Sequence, residues 1–532
     1  MANQLHQIQH IVQLMLENRS FDQMLGFLYG KPSPARFDGL TGNESNPDAA
    51  GRPCPVYEIL AKGPHPYLMP GADPGEGYFN TNYQLFLNDD PPPGAIPTCQ
   101  GFVKNFQAAI ATDQAKHYKD SLPGTLPQHI MGMYTPDLLP ILSRLATQYA
   151  VCDRWFASAP TMTLPNRAFA AAATSQGHLT DHTHTFTCPS IFGRLSDKKL
   201  DWAIYGYNRD PYTRHNFPDT SHADESHFGH FRDFTQRAAD GTLPPYTFLE
   251  PSWGANGNSQ HPNYDVALGE ELIREVYYAL RNSKGWASTL LIITYDEHGG
   301  NYDHVAPPAA TPPDDGTIGE QGFKFDRFGV RVPAVLVSPL IAEGTIYRSA
   351  DPIDHTSVLK TIAERWGTKP LTARDRAAAS LGDVLTLTVP RTADALQGLE
   401  PPVSQGPHPN ASTPSHIDLL QATQVARLPI RNEQGHYEES ALQPALGSSA
   451  DLTNFIRDRS AAWKEHQRRQ AQRRGHPGGK TPPPAPPQPG PSHTGPAPAG
   501  AAHTAPAHTG AAHPTPPHPA PQHPTPRKPG KP

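Results

Sequence analysis

Leu290 to Thr294 form an unbroken apolar and β-branched run inside the stretch 288–305, STLLIITYDEHGGNYDHV. A run without alternation suits a strand buried on both faces of a parallel sheet, since a half-exposed strand would show a period of two. It stops at two adjacent carboxylates, Asp296 and Glu297, and the positions that follow add His298, the pair Gly299-Gly300, Asp303 and His304. Acids and histidines therefore crowd just past a strand's C-terminal end, which is where open α/β sheets hold their ligands. The competing reading of a DE pair is a solvated acidic loop.

The remaining chain reads as a large α/β domain. His10 to Leu16 is a candidate first strand that ends in Glu17-Asn18-Arg19-Ser20, and Ser20-x-x-Gln23 fits a capping box starting a helix at Phe21. Residues 31–101 are rich in Pro, Gly, Asn and Asp with little periodicity, which predicts long ordered loops over one face of the sheet. Helical spacing appears at 140–149, 265–282 and 356–366. Strands are expected at 150–158, 202–205 and 246–250, with a strand pair or a strand and loop within 330–341. This alternation predicts a three-layer α/β domain with a mostly parallel central sheet.

The expected organisation is a catalytic domain over 1–399, a linker and C-terminal helical extension over 400–474, and a disordered Pro/Ala/His-rich tail over 475–532. Residues 401–416, PPVSQGPHPNASTPSH, have linker composition. In 451–474, Leu452, Phe455, Ile456 and Trp463 share one side, so this helix is expected to dock on the domain or, as a second reading, to meet a membrane surface. The tail repeats histidine at 503, 508, 513, 518 and 523 and lacks the apolar residues for a core.

Composition removes several function classes. A net charge of -6 over 532 residues gives no basic excess for nucleic acid. Four cysteines without CxxC spacing argue against a disulfide scaffold or a zinc–cysteine cluster. No Lys or Arg precedes position 19, and no apolar run approaches membrane-spanning length. The expectation is a soluble chain, cytoplasmic or exported without a cleaved leader.

Three strand or loop ends thus offer Glu17-Asn18, Thr163 and Asp296-Glu297, with His261 and His304 in the same reading. Pro165 suits a first helical position, which sets Thr163 just ahead of a helix whose free N–H groups can hold an anion. Hard oxygen ligands around one hydroxyl suit a divalent cation such as Mg, Mn or Ca. A hydroxyl in such a setting ionises more easily and can attack phosphorus.

These residues sit in strings with a wider resemblance: ENRSFDQMLG (17–26), TLPNRAF (163–169), NSQHPNYDVALGEELI (258–273), TYDEHGGNYDHVAPP (294–308) and GVRVPAVLVSP (329–339). Over roughly residues 8–370 the chain resembles the phosphoesterase family of bacterial phospholipases C, acid phosphatases and plant non-specific phospholipases C. The resemblance implies an alkaline-phosphatase-like fold and a covalent phospho-enzyme on Thr163. It implies a divalent metal (Ca, Mg, Mn or Zn) on Glu17, Asn18, Thr163, Asp296 and Glu297. His261 and His304 would move protons, and Asn166, Arg167 and Asp303 would contact phosphate. The implied substrate is a phospholipid or small phosphate ester, with a possible peripheral membrane contact and no nucleic acid. Phospholipase C activity leads, broad acid phosphatase activity is the near alternative, and a non-catalytic binding protein on a degenerate hydrolase fold is the rival from another class. Two departures stand out. Glu76 occupies a place where family members often carry histidine, and the β-rich C-terminal extension of secreted haemolytic phospholipases is missing.

Overall fold

The computed structural model describes residues 3–116, 121–182, 186–406, 414–431 and 448–474. Contacts divide the chain into two units, Met1–Gln472 and Arg473–Pro532. The fold described below is that of the first, and the histidine-repeat tail lies outside the described residues.

Among the described residues, the central sheet has eight strands: β1 (His10–Leu16), β2 (Ala150–Val151), β3 (Trp202–Gly206), β4 (Phe228–His230), β5 (Tyr246–Glu250), β6 (Thr289–Tyr295), β7 (Ala334–Val337) and β8 (Thr345–Ile346). Their order is β8-β2-β7-β6-β1-β5-β3-β4. Neighbours run parallel except at β7, which is antiparallel to both β6 and β2. The apolar run is β6, and all seven of its residues are buried, as a strand covered on both faces requires. Burying each Leu or Ile there contributes about 1.5–3 kcal/mol. In register, Leu16 lies opposite Tyr295. The next residue on each strand, Glu17 and Asp296, therefore leaves the sheet at the same level.

Two sets of helices flank the sheet, one comprising Pro140–Gln148, Phe231–Asp240 and Val266–Arg281 and the other Thr163–Ala172, Ile191–Asp197 and Thr356–Trp366. The 266–281 helix buries Val266, Leu272, Ile273, Val276, Tyr277 and Leu280, the expected 3.6-residue stripe. Its buried Glu270 accepts the N–H groups of Ile141 (2.6 Å) and Leu142 (3.0 Å), satisfying the free donors at the start of the 140–148 helix.

Several local expectations change. The segment 31–101 holds a helix, Tyr78–Phe86, whose buried face is polar at Thr81, Asn82 and Gln84, so no apolar stripe announces it. The expected 150–158 strand divides into β2 and Trp155–Phe156, because Asp153 between them turns to accept from the Asp38 N–H and the Arg348 guanidinium. Within 330–341 only Ala334–Val337 joins the sheet. Ser20 caps the first helix through Gln23 N (3.2 Å), but the reciprocal half of the capping box is absent, since Gln23 Oε1 accepts from Arg19 Nη1 instead. Thr163 is itself the first residue of its helix and Pro165 the third.

The C-terminal part behaves as expected in one respect and not in another. Leu452, Ile456 and Trp463 of the Ser449–Arg474 helix do bury a face. They bury it against a helix absent from the sequence reading, His416–Ala426, which begins at the last residue of the segment of linker composition.

Candidate active site

The ends of three adjacent parallel strands, β6, β1 and β5, converge on one place. Glu17 and Asn18 follow β1, Asp296 and Glu297 follow β6, and the loop after β5 returns so that Ser259 O accepts the Glu17 N–H at 2.9 Å. Arg19 pins this loop, donating to the carbonyls of Gln260 (2.5 Å) and His261 (2.9 Å). His261 is thereby held beside Glu17.

Asn18 organises the centre. Its backbone is left-handed, φ 53°, a conformation asparagine tolerates better than most side chains. In that conformation its N–H meets Asp296 Oδ1 at 2.9 Å, Oδ1 accepts from Thr163 Oγ1 at 3.1 Å, and Nδ2 donates to Glu76 at 2.5 Å. Gly299 closes over it: φ is +59°, and a Cβ there would stand 2.1 Å from the Asn18 carbonyl oxygen. Both glycines after the DE pair thus have a steric reason, since at Gly300 φ is +65° and a Cβ would stand 2.6 Å from the Gly75 carbonyl oxygen.

Glu17, Glu76, Asp296 and Glu297 are all buried, and the buried Arg167 bonds to one of them, its Nε donating to Asp296 Oδ2 at 2.9 Å. Burial first, and Asp296 next to it, raise Glu17 to about 7 against the opposing pull of His416. Burial pushes Glu76 and Glu297 well above the carboxylate range, helped by the charge of Glu297 on Glu76 and of Asp296 on Glu297. Burial also raises Asp296, against Arg167. Buried with no hydrogen-bond partner are Glu17 Oε1, Glu297 Oε1, Arg167 Nη1 and His261 Nε2. Crowded, uncompensated carboxylate oxygens fit a hard divalent cation, which would supply the missing positive charge.

Not every expected residue joins this centre. Asn166 is fully buried, and its amide is engaged with Ala159 N, Ala159 O, Thr161 O and Met162 O, so it shapes the turn before the helix. Asp303 and His304 belong to a second cluster: Arg331 donates to Asp303 (3.0 Å) and Asp22 (2.8 Å), and His304 Nδ1 lies 2.7 Å from Asp22 Oδ2. Burial lowers His304, but the Asp22 and Asp38 carboxylates outweigh it and raise the imidazole to about 10. The helix start offers little to an anion as well. The Leu164 N–H is taken by Asp181 Oδ1 (2.7 Å), and Pro165 has none.

Three residues without an assigned role come in instead. Glu76, Asp181 and His416 place ligand atoms within 4.8 Å of one another, as do Glu17, His261 and His416. Glu76 was visible only as a departure from the family pattern, Asp181 sits in a polar loop without periodicity, and His416 lies at the edge of the apparent linker.

A helix start bearing the buried Thr163 hydroxyl thus faces buried carboxylates with unpartnered oxygens beyond a parallel sheet, and the chain's relatives among known proteins indicate a hydrolase of phosphoester bonds. The phosphoesterase family model matches residues 8–369, and the chain belongs to that family. Among its relatives, non-specific phospholipase C6 of Arabidopsis thaliana is 38% identical over 408 residues, 72% of this chain and 74% of that protein. Non-specific phospholipase C3 of the same plant is 35% identical, covering 72% and 75%. Phospholipase C A of Mycobacterium tuberculosis is 29% identical, covering 68% and 73%. Among solved structures, a protein in the alkaline phosphatase superfamily from Vibrio parahaemolyticus matches with TM-score 0.28 and 11% identity over 62% of this chain and 82% of that one.

Proposed function

We propose that the protein is a metal-dependent phospholipase C that cleaves glycerophospholipids through a phospho-threonine intermediate on Thr163. The observation that carries this reading is the Thr163 hydroxyl, buried at a helix start, donating to Asn18 Oδ1 beside carboxylate oxygens that lack partners. A divalent cation held by Glu17, Asn18, Asp296 and Glu297 would withdraw charge from the phosphoryl oxygens and ease ionisation of the hydroxyl. Asn18 orients Thr163 Oγ1 toward phosphorus. The Thr163 O–P bond forms as the diacylglycerol O–P bond breaks, and the departing oxygen takes a proton. Water then attacks the phospho-threonine, freeing the headgroup phosphate and the threonine hydroxyl. Burial holds His261 well below the usual imidazole range, so its unpartnered Nε2 is unprotonated and placed to accept a proton.

Phe79 and Leu419, 47% and 51% exposed, each lie three residues beyond a cluster residue, Glu76 and His416, and suit contact with a lipid surface. Among the described residues, no helix is long and apolar enough to cross a membrane. Metal-loaded protein assayed on phosphatidylcholine vesicles and on an aryl phosphate monoester tests the reading. The vesicle substrate should be preferred in kcat/KM, and a preference for the monoester would make the protein a phosphatase.

A further inference from the structure

We propose that His416, delivered by the His416–Ala426 helix, is a catalytic residue whose imidazole donates a hydrogen bond to the leaving-group oxygen of the ester. The inference rests on the phosphoesterase reading and assigns to that site a group from outside the residues that match the family model, 8–369.

The helix carrying His416 is held in place from two sides. Ser415 caps it, its Oγ accepting the Asp418 N–H, and Asp418 Oδ2 accepts the Ser415 N–H at 2.9 Å in return. Arg209 then pairs with Asp418 at 2.7 Å with both side chains buried, and Gln421 donates to Asp210 O at 2.7 Å. At its far end Arg459 of the last helix donates to the carbonyls of Val425, Ala426 and Leu428. Leu452, Ile456 and Trp463 pack the opposite side against Ala422 and Val425. A solvated linker needs none of these contacts, but a histidine that must be positioned does.

What they position is an imidazole beside the nucleophile. Asp181 joins the two, since its Oδ1 accepts the N–H of Leu164, adjacent to Thr163, while its Oδ2 lies 3.3 Å from His416 Nε2. The His416 ring centroid is 5.4 Å from that of His261. Its ligand atom stands within 4.8 Å of those of Glu17 and His261, where Glu17 Oε1 and His261 Nε2 have no partner. With 30% of its side chain exposed, His416 also borders the approach to the centre. An ester bound at Thr163 with its leaving group toward His416 would meet an N–H donor there, which stabilises the charge that develops on the departing oxygen. His416 joins the cluster of Glu76 and Asp181 from a segment 340 positions after Glu76 (416 against 76).

The test compares the full-length, metal-loaded protein with His416→Gln and His416→Ala on choline phosphodiesters that differ only in leaving group. For His416→Gln, kcat/KM should fall about 100-fold with a diacylglycerol leaving group but no more than about tenfold with a nitrophenyl one, whose oxygen needs little stabilisation. Imidazole in solution should restore part of the His416→Ala activity, and metal content should match wild type. Uniform loss across leaving groups with a lowered melting temperature would reduce His416 to a structural residue. Loss of bound metal would make it a ligand. Either result overturns the proposal while leaving the phosphoesterase reading intact, whereas a wild type inert toward every ester overturns both.

Discussion

The same two stretches, 17–22 and 296–304, build two buried clusters with opposite electrostatics. Around Arg331 the charges are matched: Asp22, Asp303 and His304 each find a partner, and Asp38 closes the set 3.7 Å from His304 Nε2. Around Asn18 they are not: among Glu17, Glu76, Asp296 and Glu297 only Asp296 is bonded to a guanidinium, that of Arg167, and Glu17 and Glu297 keep oxygen atoms without partners. Compensated buried charge holds chain segments together, and uncompensated buried charge calls for a ligand. Composition does not separate the two, since both contain acids and a histidine near a strand end. Pairing does.

The comparison breaks most visibly at Thr163, the proposed nucleophile. Thr163→Ala should lower turnover at least about 10³-fold while shifting the melting temperature little, because one hydroxyl goes and no charge is stranded. Residual activity above a tenth of wild type, about 1.4 kcal/mol of barrier, would point to water as the nucleophile.

Arg331→Met should act in the opposite sense, destabilising the fold by about 3–5 kcal/mol in urea titrations, since it strands Asp22 and Asp303. A mild effect would mean that this cluster is not structural.

Glu297→Gln should lower bound metal and activity together yet leave the metal-free fold as stable as wild type or more so, because it removes one of the mutually repelling carboxylates. Equal metal content by elemental analysis would move the cation elsewhere.

Stability against pH sharpens the contrast further. Glu17 rises from 4.5 to about 7 on folding, so the folded metal-free protein binds more protons than the unfolded chain in that window and loses stability as pH rises through it. His304 rises from 6.5 to about 10, so its contribution is complete below 6.5 and is lost as pH climbs toward 10. Melting curves across pH should show both slopes. An added divalent cation should flatten only the first, and His304→Gln only the second.

The smallest effect is expected from truncation after Arg474, which should change turnover of a soluble aryl ester less than about twofold, since the deleted segment has few apolar residues to pack.

Much of the architecture was legible because its signals are local. The apolar run of β6, the stripe of the 266–281 helix and the polar clusters at two strand ends all lie within single short segments. Register then does what sequence spacing cannot, setting Glu17 level with Asp296 although 279 positions separate them. Asp303 and His304 read as members of the same centre because they follow Asp296 so closely. Their separation depends on Arg331, whose role only the fold reveals. The helix at 78–86 hid behind a polar buried face that makes sense once Gln84 is seen to meet His298 at 2.7 Å. His416 was hidden by its neighbours, since proline and serine around it give the composition of a linker while its own helix carries the docking contacts.

The central claim is that the uncompensated cluster exists to transfer a phosphoryl group to Thr163. Acid quenching of the metal-loaded protein during turnover of phosphatidylcholine, followed by peptide mass mapping, tests it most directly. The account predicts a phosphocholine adduct on the peptide containing Thr163, present during turnover and absent from Thr163→Ala. Turnover with no adduct on that peptide, or an adduct on another residue, would contradict it.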